Sequence, residues 1–123
     1  MVKYLLDSDV IIEFLRGKPQ TISLVNKLKS EGFGCSVLTL MEVKRGVFGK
    51  QETVANKLFR AMRIYAVTKE VGDLTVEFIK EWRKKGKTLQ LIDTTIAATS
   101  VLNDLILVTY NKRDYPMKEL KVI

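Results

Sequence analysis

Val2-Lys3-Tyr4-Leu5-Leu6-Asp7-Ser8-Asp9 opens the chain with an apolar run that stops abruptly at two carboxylates. The run is too short to be a capped helix and suits a strand buried in a sheet. Ser8 and Asp9 read as a helix start, because short polar side chains accept hydrogen bonds from the free amides of a first turn. A strand that ends at Asp7 and turns into a helix puts that carboxylate at the carboxyl end of a sheet. Open α/β sheets build their sites there.

The next residues continue the pattern. Val10, Ile11, Phe14 and Leu15 recur at helical spacing, and Gly17 with Pro19 ends the segment. A second helix is expected over Thr21 to Lys29, and a second strand over Cys35 to Thr39. A helix from Thr39 to Phe48 follows. Thr39 can cap it and Glu42 lies three residues on, the spacing of a capping box. Glu42 therefore has two readings, closing that box or facing the sheet end beside Asp7. Thr53 to Arg63 reads as a helix with Val54, Ala55, Leu58, Phe59 and Met62 inward, Ile64 to Val67 as a strand, and Val71 to Trp82 as a helix. Leu91-Ile92-Asp93-Thr94-Thr95-Ile96-Ala97-Ala98-Thr99 places Asp93 at or near a helix start, as a simple cap or as a site acid. Leu105 to Thr109 is the most strand-like run in the chain and leads into Tyr110-Asn111-Lys112-Arg113-Asp114. Leu120 to Ile123 reads as a short last strand. Strands alternating with helices imply one mostly parallel α/β sheet with right-handed crossovers.

Composition narrows the chemistry. The chain has 123 residues, which suits one domain over residues 1–123, and 46% of them are hydrophobic. No apolar run reaches the length of a membrane span, and the N-terminal run passes directly into acids, unlike a secretory signal. A cytoplasmic location is the simplest expectation. Cys35 is the single cysteine, so neither an internal disulfide nor a thiolate cluster is available. Histidine is absent, which excludes a Ser-His-Asp triad, a Cys-His pair and histidine zinc sites. An enzyme built from these residues must work with carboxylates, hydroxyls, lysines or a bound ion. The net charge of +7 favours a polyanionic partner. Arg83, Lys84, Lys85 and Lys87 concentrate part of that charge in one turn. The turn reads either as a solvated helix C-terminus or as a contact for nucleic-acid phosphates.

In a parallel sheet, strand carboxyl ends and helix N-termini share one edge, so Asp7, Glu42, Asp93 and Asp114 can converge there. Four clustered carboxylates resist ionising together unless a cation balances them. An all-oxygen donor set points to a hard ion, magnesium or manganese. An acidic metal site inside a basic protein suits a nuclease.

The motifs, in order, are Leu5-Leu6-Asp7-Ser8-Asp9-Val10-Ile11-Ile12, Leu40-Met41-Glu42-Val43, Asp93-Thr94-Thr95-Ile96-Ala97-Ala98 and Val108-Thr109-Tyr110-Asn111-Lys112-Arg113-Asp114-Tyr115. Together they resemble PIN-domain ribonucleases, specifically the VapC-like toxins of type II toxin–antitoxin pairs. The resemblance spans nearly the whole chain. It implies a three-layer α/β/α sandwich and metal-dependent hydrolysis of RNA phosphodiester bonds. It assigns Asp7, Glu42, Asp93 and Asp114 to holding Mg2+ or Mn2+, with Ser8, Thr109 and Asn111 supporting the site. It also implies a homodimer and a cognate antitoxin partner. Asp9 stands where the family often has asparagine and reads as a helix cap or a support for the site. Thr94 and Thr95 stand where apolar or small residues are commoner. Two further readings use the same features, an RNA-binding module without catalysis and a nuclease of RNA processing. Asp7-Ser8-Asp9 also resembles the first motif of haloacid-dehalogenase-like phosphatases, but Val10 replaces the following glycine and the later acidic pair is missing.

Overall fold

The computed structural model describes all 123 residues, Met1–Ile123. Five parallel strands form one sheet: β1 (Tyr4–Leu6), β2 (Phe33–Ser36), β3 (Arg63–Tyr65), β4 (Ile106–Val108) and β5 (Lys121–Val122), in the order β3-β2-β1-β4-β5. Six α-helices connect them: α1 (Ser8–Leu15), α2 (Pro19–Leu28), α3 (Val37–Lys44), α4 (Lys50–Arg60), α5 (Lys69–Lys84) and α6 (Leu91–Leu102). Single 3-10 turns lie at Lys29–Glu31 and Lys112–Asp114.

Strand side chains alternate between faces, and that alternation creates two cores. Tyr4, Leu6 and Val108 pack on one face with Val10, Ile11, Val25, Val43, Leu58 and Phe59 of α1 to α4. Leu5 and Leu107 point the other way, onto Val71, Phe78, Ile96, Ala97 and Ala98 of α5 and α6. Both faces are covered, so the central strands are apolar throughout, as parallel sheets require. The layers are α/β/α, as the sequence implied.

The chain winds outward from β1 through β2 to β3, then returns through α5 and α6 to place β4 on the other side of β1. The winding direction reverses at β1, which makes the carboxyl ends of β1 and β4 a switch point where such sheets open a crevice. Leu6 is in register with Val108, so Asp7 and Thr109 leave the sheet side by side. The Asp7 amide donates to the Val108 carbonyl (3.0 Å) and fixes that pairing.

Several expected boundaries shift. The second strand is Phe33–Ser36, not Cys35 to Thr39. Gly34 belongs to it because β3 lies so close that a Cβ would collide with the Arg63 carbonyl. Ser36 leaves the strand in extended conformation and caps α3 by accepting from the Leu38 amide (3.1 Å). The helix therefore runs over Val37–Lys44 instead of Thr39 to Phe48, and Thr39 lies inside it with a buried hydroxyl that has no partner. The capping box between Thr39 and Glu42 does not form. The next helix covers Lys50–Arg60, leaving Val54 47% exposed where an inward position was expected. The third strand is Arg63–Tyr65, and α5 extends at both ends beyond Val71 to Trp82. No helix is long and apolar enough to cross a membrane.

Candidate active site

Asp7 is both the end of β1 and the N-cap of α1, so the cap is the acid itself rather than Ser8 or Asp9. Its carboxylate is 5% exposed and accepts three hydrogen bonds. The Ser8 amide donates to Oδ1 (2.8 Å), while the Thr109 hydroxyl (2.9 Å) and the Tyr115 hydroxyl (2.7 Å) donate to Oδ2. These donors replace the hydrogen bonds that burial takes from water. Burial and the Asp7 charge push the Tyr115 phenol far above the ordinary tyrosine range, so it is a permanent donor. Thr109 is buried and accepts in turn from the Asn111 amide (3.1 Å), which points its proton at Asp7. Ser8 and Thr109 thus hold the first acid directly, and Asn111 does so through Thr109.

Asp9 does more than the sequence assigned to it. It lies in the first turn of α1, and its Oδ2 accepts from the Tyr110 amide (3.0 Å) and the Asn111 side-chain amide (3.0 Å), with Thr109 Oγ1 at 3.4 Å. It clamps the loop after β4 to the first turn of α1. Burial and then Asp7 raise its pKa, while the Tyr110 and Val10 amides and the Thr109 hydroxyl oppose the rise. Its Oδ1 is buried without a partner.

Asp93 lies in the first turn of α6, after Gln90 at the N-cap, so it is not a capping residue. It is half-buried. Desolvation raises its pKa to about 6, and Asp7, Asp114 and Glu42 add to the rise, while the Tyr115 hydroxyl opposes it. The other three sequence-selected acids therefore all bear electrostatically on Asp93. Glu42 sits in the last turn of α3, later in its helix than expected, and is exposed. It lies between a cleft of about 260 Å3 bounded by Ile12, Arg16 and Val47 and a second of about 330 Å3 bounded by Leu38, Arg45 and Ile92. Asp114 ends the 3-10 turn after β4 and is also exposed. No three acids stand close enough together to enclose an ion as they are. Asp7 is buried, Asp93 half-buried and Glu42 and Asp114 exposed, and the four form no closed cage.

Thr94 and Thr95 fit the buried side of α6 by bonding their hydroxyls to the carbonyls of Gln90 (2.6 Å) and Leu91 (2.7 Å), one turn back. Polar residues there cost little packing because no hydroxyl is left unpaired.

The basic turn lies beside the acids. Arg83 and Lys84 end α5, and the Lys87 ammonium donates to the Arg113 carbonyl (3.1 Å), tying the turn to the loop that carries Asp114. Lys112 and Arg113 extend the same positive rim. Lys85 is partly engaged, over the Trp82 ring (4.4 Å to its centroid) and 3.5 Å from Glu81. Sequence reasoning gave no role to Tyr115, Lys112 or Arg113. The aromatic directly after Asp114 was the available signal for the first, and the unbroken Lys112-Arg113-Asp114 run for the others.

The PIN domain family model matches residues 4–121. Among curated proteins, Ribonuclease VapC19 of Mycobacterium tuberculosis is 27% identical over 115 residues, covering 92% of each chain. Ribonuclease VapC10 of the same organism is 29% identical over 116 residues, covering 94% of this chain and 87% of its own. Among solved structures, DNA-bound VapBC from Salmonella typhimurium superposes with a TM-score of 0.85 at 22% identity, over 100% of this chain and 98% of its own. FitAcB from Neisseria gonorrhoeae gives 0.84 at 23%, over 98% and 96%. The structural likeness establishes the fold. The family model spans β1 to β4 and reaches into β5, with all four acids inside it, and on that match the chain belongs to the PIN-domain family.

Proposed function

We propose that this protein is a metal-dependent endoribonuclease, the toxin of a toxin–antitoxin pair. One observation carries the reading. At the switch point of the sheet, Asp7 is fixed by hydrogen bonds from Thr109, Tyr115 and Ser8, while burial and three further acids push Asp93 up to about 6. Such an arrangement suits a bound cation better than it suits four free carboxylates. The donor set is all oxygen, as magnesium and manganese prefer, and Asp9 Oδ1 adds a buried acceptor without a partner. Asp7 and Asp93 would hold the ion, with Glu42 and Asp114 swinging in. When bound, such an ion polarises a phosphate and lowers the pKa of water.

The chain's own groups do the rest. Thr109 and Tyr115 fix the Asp7 carboxylate in one orientation. Asp9 holds the Asn111–Asp114 loop against α1. Arg83, Lys84, Lys87, Lys112 and Arg113 attract the RNA backbone toward the acids. The named ribonuclease relatives support RNA as the substrate, and a toxin–antitoxin complex from Klebsiella pneumoniae that shares the fold (TM-score 0.80, 23% identity) supports a cognate antitoxin. A homodimer and a cytoplasmic location complete the reading.

The second reading is a PIN-fold RNA-binding module without catalysis, favoured by the open spacing of the carboxylates. A structured RNA mixture incubated with and without magnesium or manganese, beside an Asp93→Asn control prepared identically, separates the two. Cleavage that requires metal and vanishes in the control is expected. Cleavage equal in both proteins overturns the assignment of Asp93, and RNA binding without cleavage at saturating metal selects the binding module.

A further inference from the structure

The loop that carries Asn111 and Asp114 also presents an aromatic ring that the acid site does not use. Tyr110 is 50% exposed, yet it is tethered at both ends. Its amide donates to Asp9 Oδ2 (3.0 Å), and its phenol hydroxyl shares a hydrogen bond with the hydroxyl of Thr21, a buried residue of α2. An exposed tyrosine without these ties would keep its rotamer freedom, whereas this one is held in place with much of its ring open to solvent. Beside it is a cleft of about 210 Å3 lined by Leu24, Val108, Thr109, Tyr110, Lys112 and Ile123. Leu24, Val108 and Ile123 make the cleft apolar, and Lys112 adds a single positive charge. Thr109 belongs to its wall and also donates to Asp7. A molecule in the cleft is therefore one residue away from the acids.

We propose that Tyr110 and this cleft form a nucleobase subsite. A base of single-stranded RNA, splayed out beside the phosphate that meets the acids, stacks on the Tyr110 ring, and Lys112 takes an adjoining phosphate. This inference rests on the ribonuclease reading and names where that substrate is gripped. Aromatic rings accept bases of any sequence because every base has a flat π face. Unpaired RNA is the nucleic acid whose bases can be splayed out in this way. A ring already fixed by Asp9 and Thr21 loses little freedom on binding. The pairing of an apolar wall with one cation fits a base and its phosphate, whereas duplex RNA would offer only phosphates and 2′-hydroxyls at this point.

The test compares two octamers of equal charge, oligoadenylate RNA and a ribose-phosphate chain lacking bases. Binding is measured by fluorescence anisotropy, using the intact 123-residue chain carrying Asp93→Asn to prevent cleavage. The parent is expected to bind the adenine octamer roughly tenfold tighter than the base-free one. Adding Tyr110→Ala brings that ratio near one, Tyr110→Phe restores most of it, and Lys112→Ala weakens both octamers by the same factor. Tyr110→Leu keeps apolar bulk without the ring and stands in if the alanine variant melts early; it should lose the preference as fully. An unchanged ratio in Tyr110→Ala or Tyr110→Leu overturns the subsite. If the parent binds both octamers equally while wild-type protein cleaves RNA, the subsite is wrong and the nuclease reading stands. If the parent binds neither and the wild type cleaves nothing, the nuclease reading fails and the subsite falls with it.

Discussion

Removing a charge from the acid site should stabilise the metal-free protein, and Asp93→Asn is the substitution that isolates this effect. Burial and three neighbouring acids raise Asp93 from an ordinary 3.8 to about 6. The folded state therefore prefers the protonated carboxyl. Its contribution to stability is fully present below about pH 4 and is lost as pH rises through about 6. Two pKa units would be worth about 3 kcal/mol in a fully buried group. Asp93 is only half-buried, so solvent screening reduces the figure to about 1 kcal/mol. Asparagine mimics the protonated form at every pH. In EDTA at pH 7.5 the variant should melt about 3–5 °C above wild type, and the gap should close as pH falls to 4. Thermal melts of both proteins in EDTA between pH 4 and 8 provide the measurement. A variant less stable than wild type at pH 7.5, or a gap independent of pH, would refute the argument that burial and the neighbouring acids disfavour the Asp93 charge in the folded state.

Asp9→Ala removes the acceptor for the Tyr110 amide and the Asn111 side chain. It should cost about 1–2 kcal/mol in urea unfolding and slow RNA cleavage; an unchanged midpoint would show that the loop after β4 holds itself. Cys35 is fully buried in β2, and burial pushes its thiol up to about 12. Iodoacetamide at pH 8 should therefore leave it unmodified in the native protein and label it after denaturation, as read by mass spectrometry. Rapid native labelling would contradict the buried position of β2. Neutralising Arg83, Lys84, Lys85 and Lys87 together should weaken RNA binding and reduce its log–log salt slope by about 2–3, less than four full contacts because Lys85 is partly engaged by Glu81. An unchanged slope would mark the turn as solvated surface only.

The sequence revealed the parts of the fold that are written locally. Leu5-Leu6-Asp7 and Leu107-Val108-Thr109 each spell a buried strand that ends in polar residues, and those two strands carry the site. Val10, Ile11, Phe14 and Leu15 gave α1 its buried stripe. What failed depended on neighbours in space. Both Ser36 and Thr39 are competent caps, and only the point at which β2 parts from β3 chooses Ser36. Gly34 is a strand residue forced to be small by the Arg63 backbone, a constraint set by a strand distant in the sequence. Local spacing also left Glu42 and Asp93 ambiguous, because an acid in a first turn can cap a helix or serve a site. Asp9 looked like a cap because its partners Tyr110 and Asn111 lie about a hundred residues away. Tyr115 was hidden for the same reason, since its role rests on Asp7 at the other end of the chain.

The central claim is that these carboxylates hold a divalent cation. Isothermal titration calorimetry of magnesium and manganese into wild-type protein, Asp7→Asn and Asp93→Asn tests it most directly. Saturable binding by the wild type, lost or strongly weakened in both variants while they remain folded, is the predicted result. No binding by the wild type, or equal binding by all three proteins, would contradict it.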